Sequence, residues 1–304
     1  MNLEIFVSVL FLGLVLALPP GSDKVYRPDY VYNKRTDAFY KLNIAPTSNR
    51  RARDLCKVEG AQLMVPSSKE DIAMVHGAMK KYPDIGDYVW IGDDGEPHDP
   101  AEDAPIIDLS EEERRPGDRD CDVVTRDGEI ETESCYRSKP FVCKVEAKDA
   151  VYDTQCGVYG AGYKYYENVR SCYKVPNIPL TWDQSYAECR AEGAHLVVLN
   201  SEAEQRAIEE FLRTAPKVEG AHTSYFYYAG IRANRHADKS ARVFRTIFNE
   251  TLEEAGYRQW SDGEPNNHND SEYCGTIFSN NGKYNDVDCS LNFGFICEKE
   301  VTPK

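Results

Sequence analysis

The sequence lacks the features that would place it among membrane or nucleic-acid-binding proteins. After residue 17, no apolar run approaches the length that crosses a bilayer. Its 36 Lys and Arg residues are outnumbered by 51 Asp and Glu residues, which gives a net charge of −15. Nucleic acids and anionic lipids both require a basic surface, so neither is expected as the main partner. We therefore expect no nucleic-acid partner and no membrane association of the mature chain.

Signatures of catalysis and of zinc binding are also missing. The chain has no G-x-S-x-G, H-E-x-x-H, P-loop or G-x-G-x-x-G sequence. Its ten cysteines include no C-x-x-C pair, which argues against a zinc ribbon or a thioredoxin-type centre. The six histidines are scattered, and none stands beside a nucleophile. We predict that the protein is not an enzyme, with an extracellular hydrolase as the weakest alternative.

The beginning of the chain predicts export. An apolar run from Ile5 to Ala17 is too short to span a bilayer and is followed by two prolines. Residues 1–17 are therefore predicted to be a secretory signal peptide. The segment contains Glu4 and no basic residue, which leaves a membrane anchor as the alternative. An even number of cysteines in an exported chain indicates disulfides, so we expect a secreted, extracellular protein.

The chain contains an internal repeat. Residues 30–71 align with residues 163–204 without a gap, so that "CKVEGAQLMVPSS" matches "CRAEGAHLVVLNS". A repeat of this length indicates two copies of one domain rather than a solenoid. We expect one domain in residues 24–146 and another in residues 156–300, with a polar linker between Cys143 and Cys156.

The same order of elements is predicted in both copies. In the second, a strand-like start precedes a helix that is opened by Thr181 and closed by Gly193. The apolar strand "HLVVLN" follows, and a second helix begins after Ser201 and runs to about Arg213. Short strands and loops rich in Asn, Asp and Gly complete the copy. Two helices, scattered strands and disulfides predict a small α+β domain.

The repeat divides the cysteines into two groups. Four in each copy occupy equivalent places: Cys56, Cys121, Cys135 and Cys143 in the first, and Cys189, Cys274, Cys289 and Cys297 in the second. Cys156 and Cys172 occur only in the second copy, so we predict that they pair with each other. The sequence leaves the remaining connectivity open.

A cluster of oxygen-bearing side chains lies before two cysteines of the second copy. Its members are Glu264, Asn266, Glu272, Asn285 and Asp286. A disulfide between Cys274 and Cys289 would bring them together, and a cis Pro265 would aim its two neighbours the same way. Adjacent carboxylates repel each other, and hard oxygen ligands suit calcium rather than zinc. The pattern favours a calcium site; the alternative is a solvated loop.

These residues resemble those of a C-type lectin carbohydrate-recognition domain. The likeness rests on Trp260, "GEPNN", Glu272 and Asn285-Asp286, framed by four cysteines, and its general form covers both copies. It implies that the cluster binds one Ca²⁺ and that all its members except Asp286 also hydrogen-bond to a sugar. In this family the Glu-Pro-Asn version goes with mannose-type glycans.

Two such domains in one chain are similar to the immulectins of moth and butterfly haemolymph. That likeness implies innate immune recognition of microbial polysaccharide or lipopolysaccharide, with agglutination, encapsulation or melanisation as the outcome. A second ion beside the primary site is not expected, because Asn267 and Tyr273 stand where acidic residues would be needed. Asn249, in Asn-Glu-Thr, is a candidate for glycosylation.

The first copy departs from this pattern. The equivalent positions hold Glu111, Glu112, Glu113, Arg119, Glu131 and Thr132. A guanidinium cannot bind calcium, so we predict a lectin-like domain without a sugar site. Its acidic stretch is either a solvated loop or a surface for a protein partner. With one site per chain, agglutination would require a homo-oligomer or a second microbial contact. The alternative function is a protein-binding adaptor that uses calcium only structurally.

Overall fold

A computed structural model describes residues 24, 26–93, 120–233 and 242–301. The predicted signal peptide therefore lies outside the described residues, as do Glu111, Glu112, Glu113 and Arg119. Within the described ranges, no helix is both long and apolar enough to cross a membrane.

The first repeat is built on one seven-stranded sheet with two helices. Its strands are β1 (Val31–Asn33), β2 (Ala38–Thr47), β3 (Gln62–Leu63), β4 (Tyr88–Trp90), β5 (Asp120–Thr125), β6 (Ile130–Ser134) and β7 (Lys139–Glu146). The sheet order is β1-β2-β7-β4-β5-β6, and β3 pairs with β7. The helices are α1 (Asn49–Val58) and α2 (Lys69–Lys81). A short 3-10 helix covers Pro83–Ile85.

The second repeat divides its strands between two main sheets. A two-stranded pair, β8 (Tyr152–Asp153) and β9 (Val158–Tyr159), precedes them. The four-stranded sheet has the order β10-β11-β18-β12, with β10 at Lys164–Tyr166, β11 at Ser171–Lys174, β12 at His195–Leu196 and β18 at Cys297–Glu300. The other sheet has the order β14-β13-β15-β16, with β17 on β13. Its strands are β13 (Phe226–Ala233), β14 (Phe244–Thr246), β15 (Glu272–Phe278), β16 (Tyr284–Asp288) and β17 (Gly294–Phe295).

The helices of the second repeat begin at the predicted side chains. They are α3 (Trp182–Ala191), α4 (Glu202–Thr214) and α5 (Leu252–Ala255). Thr181 and Gln184 form a complete capping box at α3, as the sequence predicted. At α4 only half of the box forms: Ser201 accepts from the Glu204 main chain, while the Glu204 carboxylate accepts from the Asn200 N–H instead.

Two predicted strands differ from the structure. The strand-like start of the second repeat is a hairpin of β10 and β11 rather than one strand. The segment "HLVVLN" is a strand only at His195–Leu196. It ends there because the next main-chain N–H groups bond elsewhere: those of Val198, Leu199 and Asn200 donate to the side chains of Glu298, Tyr284 and Glu204.

All ten cysteines are paired. The pairs are Cys56–Cys143, Cys121–Cys135, Cys156–Cys172, Cys189–Cys297 and Cys274–Cys289. The predicted Cys156–Cys172 bridge is therefore confirmed, and the equivalent cysteines of the two repeats pair identically. Disulfides of this number are typical of proteins in oxidising compartments.

The two repeats contact each other through equivalent faces. Tyr26 and Tyr159 occupy the same position in the two repeats, and their rings meet edge-on with centroids 5.6 Å apart. Leu55 and Val58 of α1 pack against the core of the second repeat. Arg51 also donates to the Pro179 carbonyl at 2.6 Å. The contact thus combines aromatic, aliphatic and polar groups.

A buried network of charged groups crosses this contact. Arg27 is fully buried and donates to both oxygens of Glu188, at 2.7 and 2.9 Å. On each side a lysine and a tyrosine bond to the same glutamate. The groups are Lys41, Tyr30 and Glu59 in the first repeat and Lys174, Tyr163 and Glu192 in the second. Because an unpaired buried charge is unfavourable, the network fixes one repeat against the other.

Candidate functional site

Two paired strands and a disulfide hold the candidate loop of the second repeat. Strands β15 and β16 are antiparallel, with Gly275 opposite Asp286 and Thr276 opposite Asn285. The Cys274–Cys289 bridge joins the ends of the two strands, and the register shifts between Glu272 and Cys274. The residues predicted to bind calcium are therefore next to each other on adjacent strands and on the loop that precedes them.

Glu264 and Asn266 face each other across a cis proline. The Glu264–Pro265 peptide bond is cis, as predicted. Glu264 Oε1 accepts from the Asn266 side-chain amide at 2.9 Å, and Oε2 accepts from the Asn266 main-chain N–H at 3.1 Å. The carboxylate and the amide are thus presented side by side.

Asp286 is buried beneath this pair. Its Oδ1 accepts from the Asn266 N–H at 3.0 Å, and its Oδ2 accepts from the Asn267 N–H at 3.0 Å and from Arg242 at 2.6 Å. Its carboxyl is also in hydrogen-bond contact with Glu264. Asp286 therefore organises the Glu-Pro-Asn loop from below.

Glu272 and Asn285 lie beside this group but bond to other atoms. Glu272 Oε2 accepts from the His268 N–H at 2.7 Å. The Asn285 amide donates to the Asp286 carbonyl at 2.8 Å. Among the described residues, no three His, Cys, Asp or Glu side chains form a group arranged to hold a metal. Glu264, Asn266 and Asp286 are in direct contact, whereas the Glu272 carboxylate would have to turn towards them.

Two carboxyl groups of the loop, those of Glu264 and Glu272, have raised pKa values. Burial and a hydrogen bond to Asp286 raise the pKa of Glu264. Burial, together with the charge of Asp286, raises the pKa of Glu272 despite the hydrogen bond from His268. A cation bound among these carboxyl groups would stabilise their ionised forms and lower their pKa values. The donor set, three carboxylates and two amides, fits calcium.

Arg242 is the functional residue that the sequence did not reveal. It precedes β14, far along the chain from the Glu-Pro-Asn motif, and no spacing rule connects it with the carboxylates. Phe244 and Trp260 pack edge-on beside it, with ring centroids 4.9 Å apart, and join the loop to the core.

The described part of the first repeat offers no comparable group at the equivalent strand position. Glu131 and Thr132 lie on the exposed part of β6, opposite Val123 and Asp122. The remaining equivalent positions lie outside the described residues. Asn249 is exposed in the turn before α5, where a glycan would meet solvent.

The fold and the framing disulfides define a C-type lectin. The family model of the Lectin C-type domain matches residues 45–145 and 178–299, so the chain belongs to this family, with two such domains in tandem. Domains of the family bind carbohydrates and are generally not enzymes. The two domains together form the α+β, disulfide-linked architecture that the sequence predicted.

Two curated relatives illustrate the likeness. The "Hemolymph lipopolysaccharide-binding protein" of Periplaneta americana is 35% identical over 130 residues, which cover 42% of this chain and 49% of that protein. The chain thus spans about half of that relative. "C-type lectin domain family 4 member E" of Mus musculus is 34% identical over 191 residues, 60% of this chain and 79% of that protein.

Part of the chain is also similar to solved structures of C-type lectin domains. The carbohydrate-recognition domain of the mouse scavenger receptor C-type lectin is 22% identical to this chain. The match covers 47% of this chain and 96% of that domain, with a TM-score of 0.36.

Proposed function

We propose that this protein is a secreted lectin that binds mannose-type glycans of microbial surfaces through calcium in its second domain. The observation that carries the proposal is the contact of Glu264, Asn266 and Asp286 at one point of the loop. The likeness to the hemolymph lipopolysaccharide-binding protein of Periplaneta americana supports lipopolysaccharide as one ligand of this protein. Innate immune recognition outside the cell is the setting that fits both.

The residues of the loop would bind both the metal and the sugar. Glu264, Asn266, Glu272, Asn285 and Asp286 would hold the ion. Calcium, when bound there, supplies coordination positions at which two vicinal sugar hydroxyls replace water. Glu264 can only accept a hydrogen bond, whereas the Asn266 amide can donate one. Such an acceptor beside a donor matches the equatorial 3-OH and 4-OH groups of mannose.

The chain's own geometry supports this division. Asp286 is 1% exposed and bonded to two main-chain N–H groups, which supports a role in holding the metal rather than in touching sugar. Glu264 and Asn266 are at the surface, where a glycan can reach them. Glu272 and Asn285 would serve the second hydroxyl, which requires the Glu272 carboxylate to turn inward from the His268 N–H.

Capture on immobilised mannan and on lipopolysaccharide tests the proposal. The wild-type chain should bind in calcium and be released by EDTA and by free mannose, but not by free galactose. Glu264→Gln with Asp286→Asn should abolish capture and weaken calcium by more than about 100-fold, beyond the roughly 10–100-fold typical of outer-shell changes. The matched control, Glu111→Gln with Glu131→Gln in the first domain, should leave both unchanged.

The competing function is an adaptor that binds protein through the first domain. Calcium uptake by the wild-type chain without chelator-sensitive capture of any glycan would favour it over the lectin. Mannan capture that persists in EDTA would contradict the proposed mechanism.

A further inference from the structure

Arg242 lies beneath the candidate calcium loop and joins its two halves. One guanidinium nitrogen, Nη1, donates to the Glu272 carbonyl at 2.7 Å and to Asp286 Oδ2 at 2.6 Å. The side chain is only 14% exposed, and its guanidinium lies 5.8 Å from the centre of the Phe244 ring. The cation is therefore fixed in place rather than free on the surface.

The hydrogen bonds to Asp286 show which of its acceptor positions Arg242 occupies. A carboxylate has about four lone-pair positions, two on each oxygen. Both positions on Oδ2 are used, by Arg242 and by the Asn267 N–H. One position on Oδ1 is used by the Asn266 N–H. The guanidinium therefore occupies one oxygen of Asp286, and the contacts of this carboxyl with the Glu-Pro-Asn loop include Oδ1 and the Glu264 carboxyl.

The charges of the loop also favour a single divalent ion. Glu264, Glu272 and Asp286 together carry three negative charges when ionised. The guanidinium of Arg242 reduces this to two, which a single divalent cation balances. Asn267 and Tyr273 add no acidic group beside them. On Oδ2 of Asp286, a second divalent ion would find both acceptor positions taken, one of them by a cation.

We propose that Arg242 is a positioning residue that acts as a built-in cation in place of a second calcium. It holds Asp286 and the Glu272 main chain in the arrangement that binds one ion. This inference rests on the proposed function. The guanidinium would repel calcium, but Arg242 bonds to Oδ2 of Asp286, so a calcium held through Oδ1 would be separated from it by the carboxylate.

Calcium titration of the full chain by calorimetry tests this role. Arg242→Gln should retain one ion but bind it roughly 10–100-fold more weakly, as is typical when an outer-shell partner of a metal ligand is removed. Arg242→Lys should stay within about threefold of wild type, because a single nitrogen makes both contacts and an ammonium can replace it. Arg258→Gln, which removes an exposed ion pair with Glu253, is the matched control and should change nothing.

A second readout separates alignment from general damage. Near-UV circular dichroism and the melting temperature in EDTA report whether Arg242→Gln is folded without metal. A folded variant with weakened calcium and rescue by lysine supports the proposal. Calcium binding by Arg242→Gln as tight as wild type or tighter overturns it and leaves the proposed function intact. Two ions lost together from Glu264→Gln with Asp286→Asn also overturn it. A wild-type chain that takes up no calcium overturns the proposed function and this inference together.

Discussion

Two contacting buried positions hold a lysine and an aspartate in the first repeat but two glutamates in the second. In the first, Lys144 Nζ lies 3.1 Å from Asp71 Oδ1. In the second, the same places hold Glu298 and Glu204, whose carboxyls are hydrogen-bonded to each other. Burial and the neighbouring carboxylate raise the pKa of Glu298 well above its usual value. Burial alone would also raise the pKa of Asp71, but its hydrogen bonds lower it to about 2. The two repeats should respond to pH in opposite directions.

Glu298→Gln should make the second domain less sensitive to pH. Because the folded pKa of Glu298 is raised, its contribution to stability is fully present below its unfolded pKa of about 4.5 and is lost as pH rises. We expect the variant to melt higher than wild type at pH 7.5 and close to wild type near pH 4.5. Thermal unfolding followed across this range measures the difference. A gap that is constant with pH would show that Glu298 is ionised in the fold.

Asp71→Asn is the counterpart in the first domain. The lowered pKa of Asp71 means that its stabilisation is present above about pH 4 and is lost as pH falls towards 2. The variant should be destabilised at neutral pH and approach wild type near pH 2, while Lys144 keeps its ion pair with Glu146 at 2.9 Å. Thermal unfolding followed across this pH range measures the difference.

At the scale of the elements, one glycine in each repeat lies against the main chain of the short strand that follows the first helix. A Cβ on Gly230 of β13 would lie 2.6 Å from the Leu196 carbonyl oxygen and 2.8 Å from Val198 Cγ2. A Cβ on Gly92 would meet the Leu63 carbonyl oxygen at 2.7 Å and Val65 at 2.9 Å. The repeat has thus preserved a backbone contact that no side chain can occupy.

Gly230→Ala and Gly92→Ala should each be strongly destabilising. Overpacking of a well-filled interior typically costs about 1–3 kcal/mol, and a main-chain oxygen cannot move as a side chain would, so we expect the upper part of that range. Gly77, in the exposed interior of α2, is the control: a Cβ there meets nothing within 4 Å. Gly77→Ala should stabilise by up to about 1 kcal/mol. Urea unfolding of the three variants provides the comparison.

The elements that could be predicted from the sequence are those with local causes. Thr181 and Ser201 begin helices because their side chains satisfy main-chain N–H groups two or three residues away. The end of β12 could not be predicted, because main-chain N–H groups beyond it donate to distant side chains. That of Leu199, for example, donates to the Tyr284 hydroxyl. The Arg242–Asp286 bond was missed for the same reason. The Glu-Pro-Asn motif was recognisable only because its ligands lie at fixed distances from two cysteines.

At the scale of the molecule, Arg27 holds the two repeats together. Arg27→Met should leave Glu188 buried without its partner, which typically costs about 3–5 kcal/mol. We expect the loss to fall on the contact between repeats, so that calorimetric unfolding separates into two transitions at different temperatures.

Replacing both partners is the control for that experiment. Glu188 occupies the position that Leu55 occupies in the first repeat, so Arg27→Met with Glu188→Leu substitutes two apolar groups of similar size. Such replacements of a buried ion pair are often neutral, and the double variant should regain most of the lost stability. Equal unfolding of the wild-type chain and the single variant would show that the repeats are not coupled through Arg27.

The contact of Tyr26 with Tyr159 joins equivalent residues of the two repeats. In an isologous dimer the same face of each copy meets its counterpart, so a residue at the centre of that face touches its own equivalent. Here both halves of that dimer belong to one chain, so their pairing does not depend on concentration. The first half therefore keeps an architectural role whatever its binding loop contains. Glu131 and Thr132 can stand where the second half has Asn285 and Asp286 without any loss of the shared face.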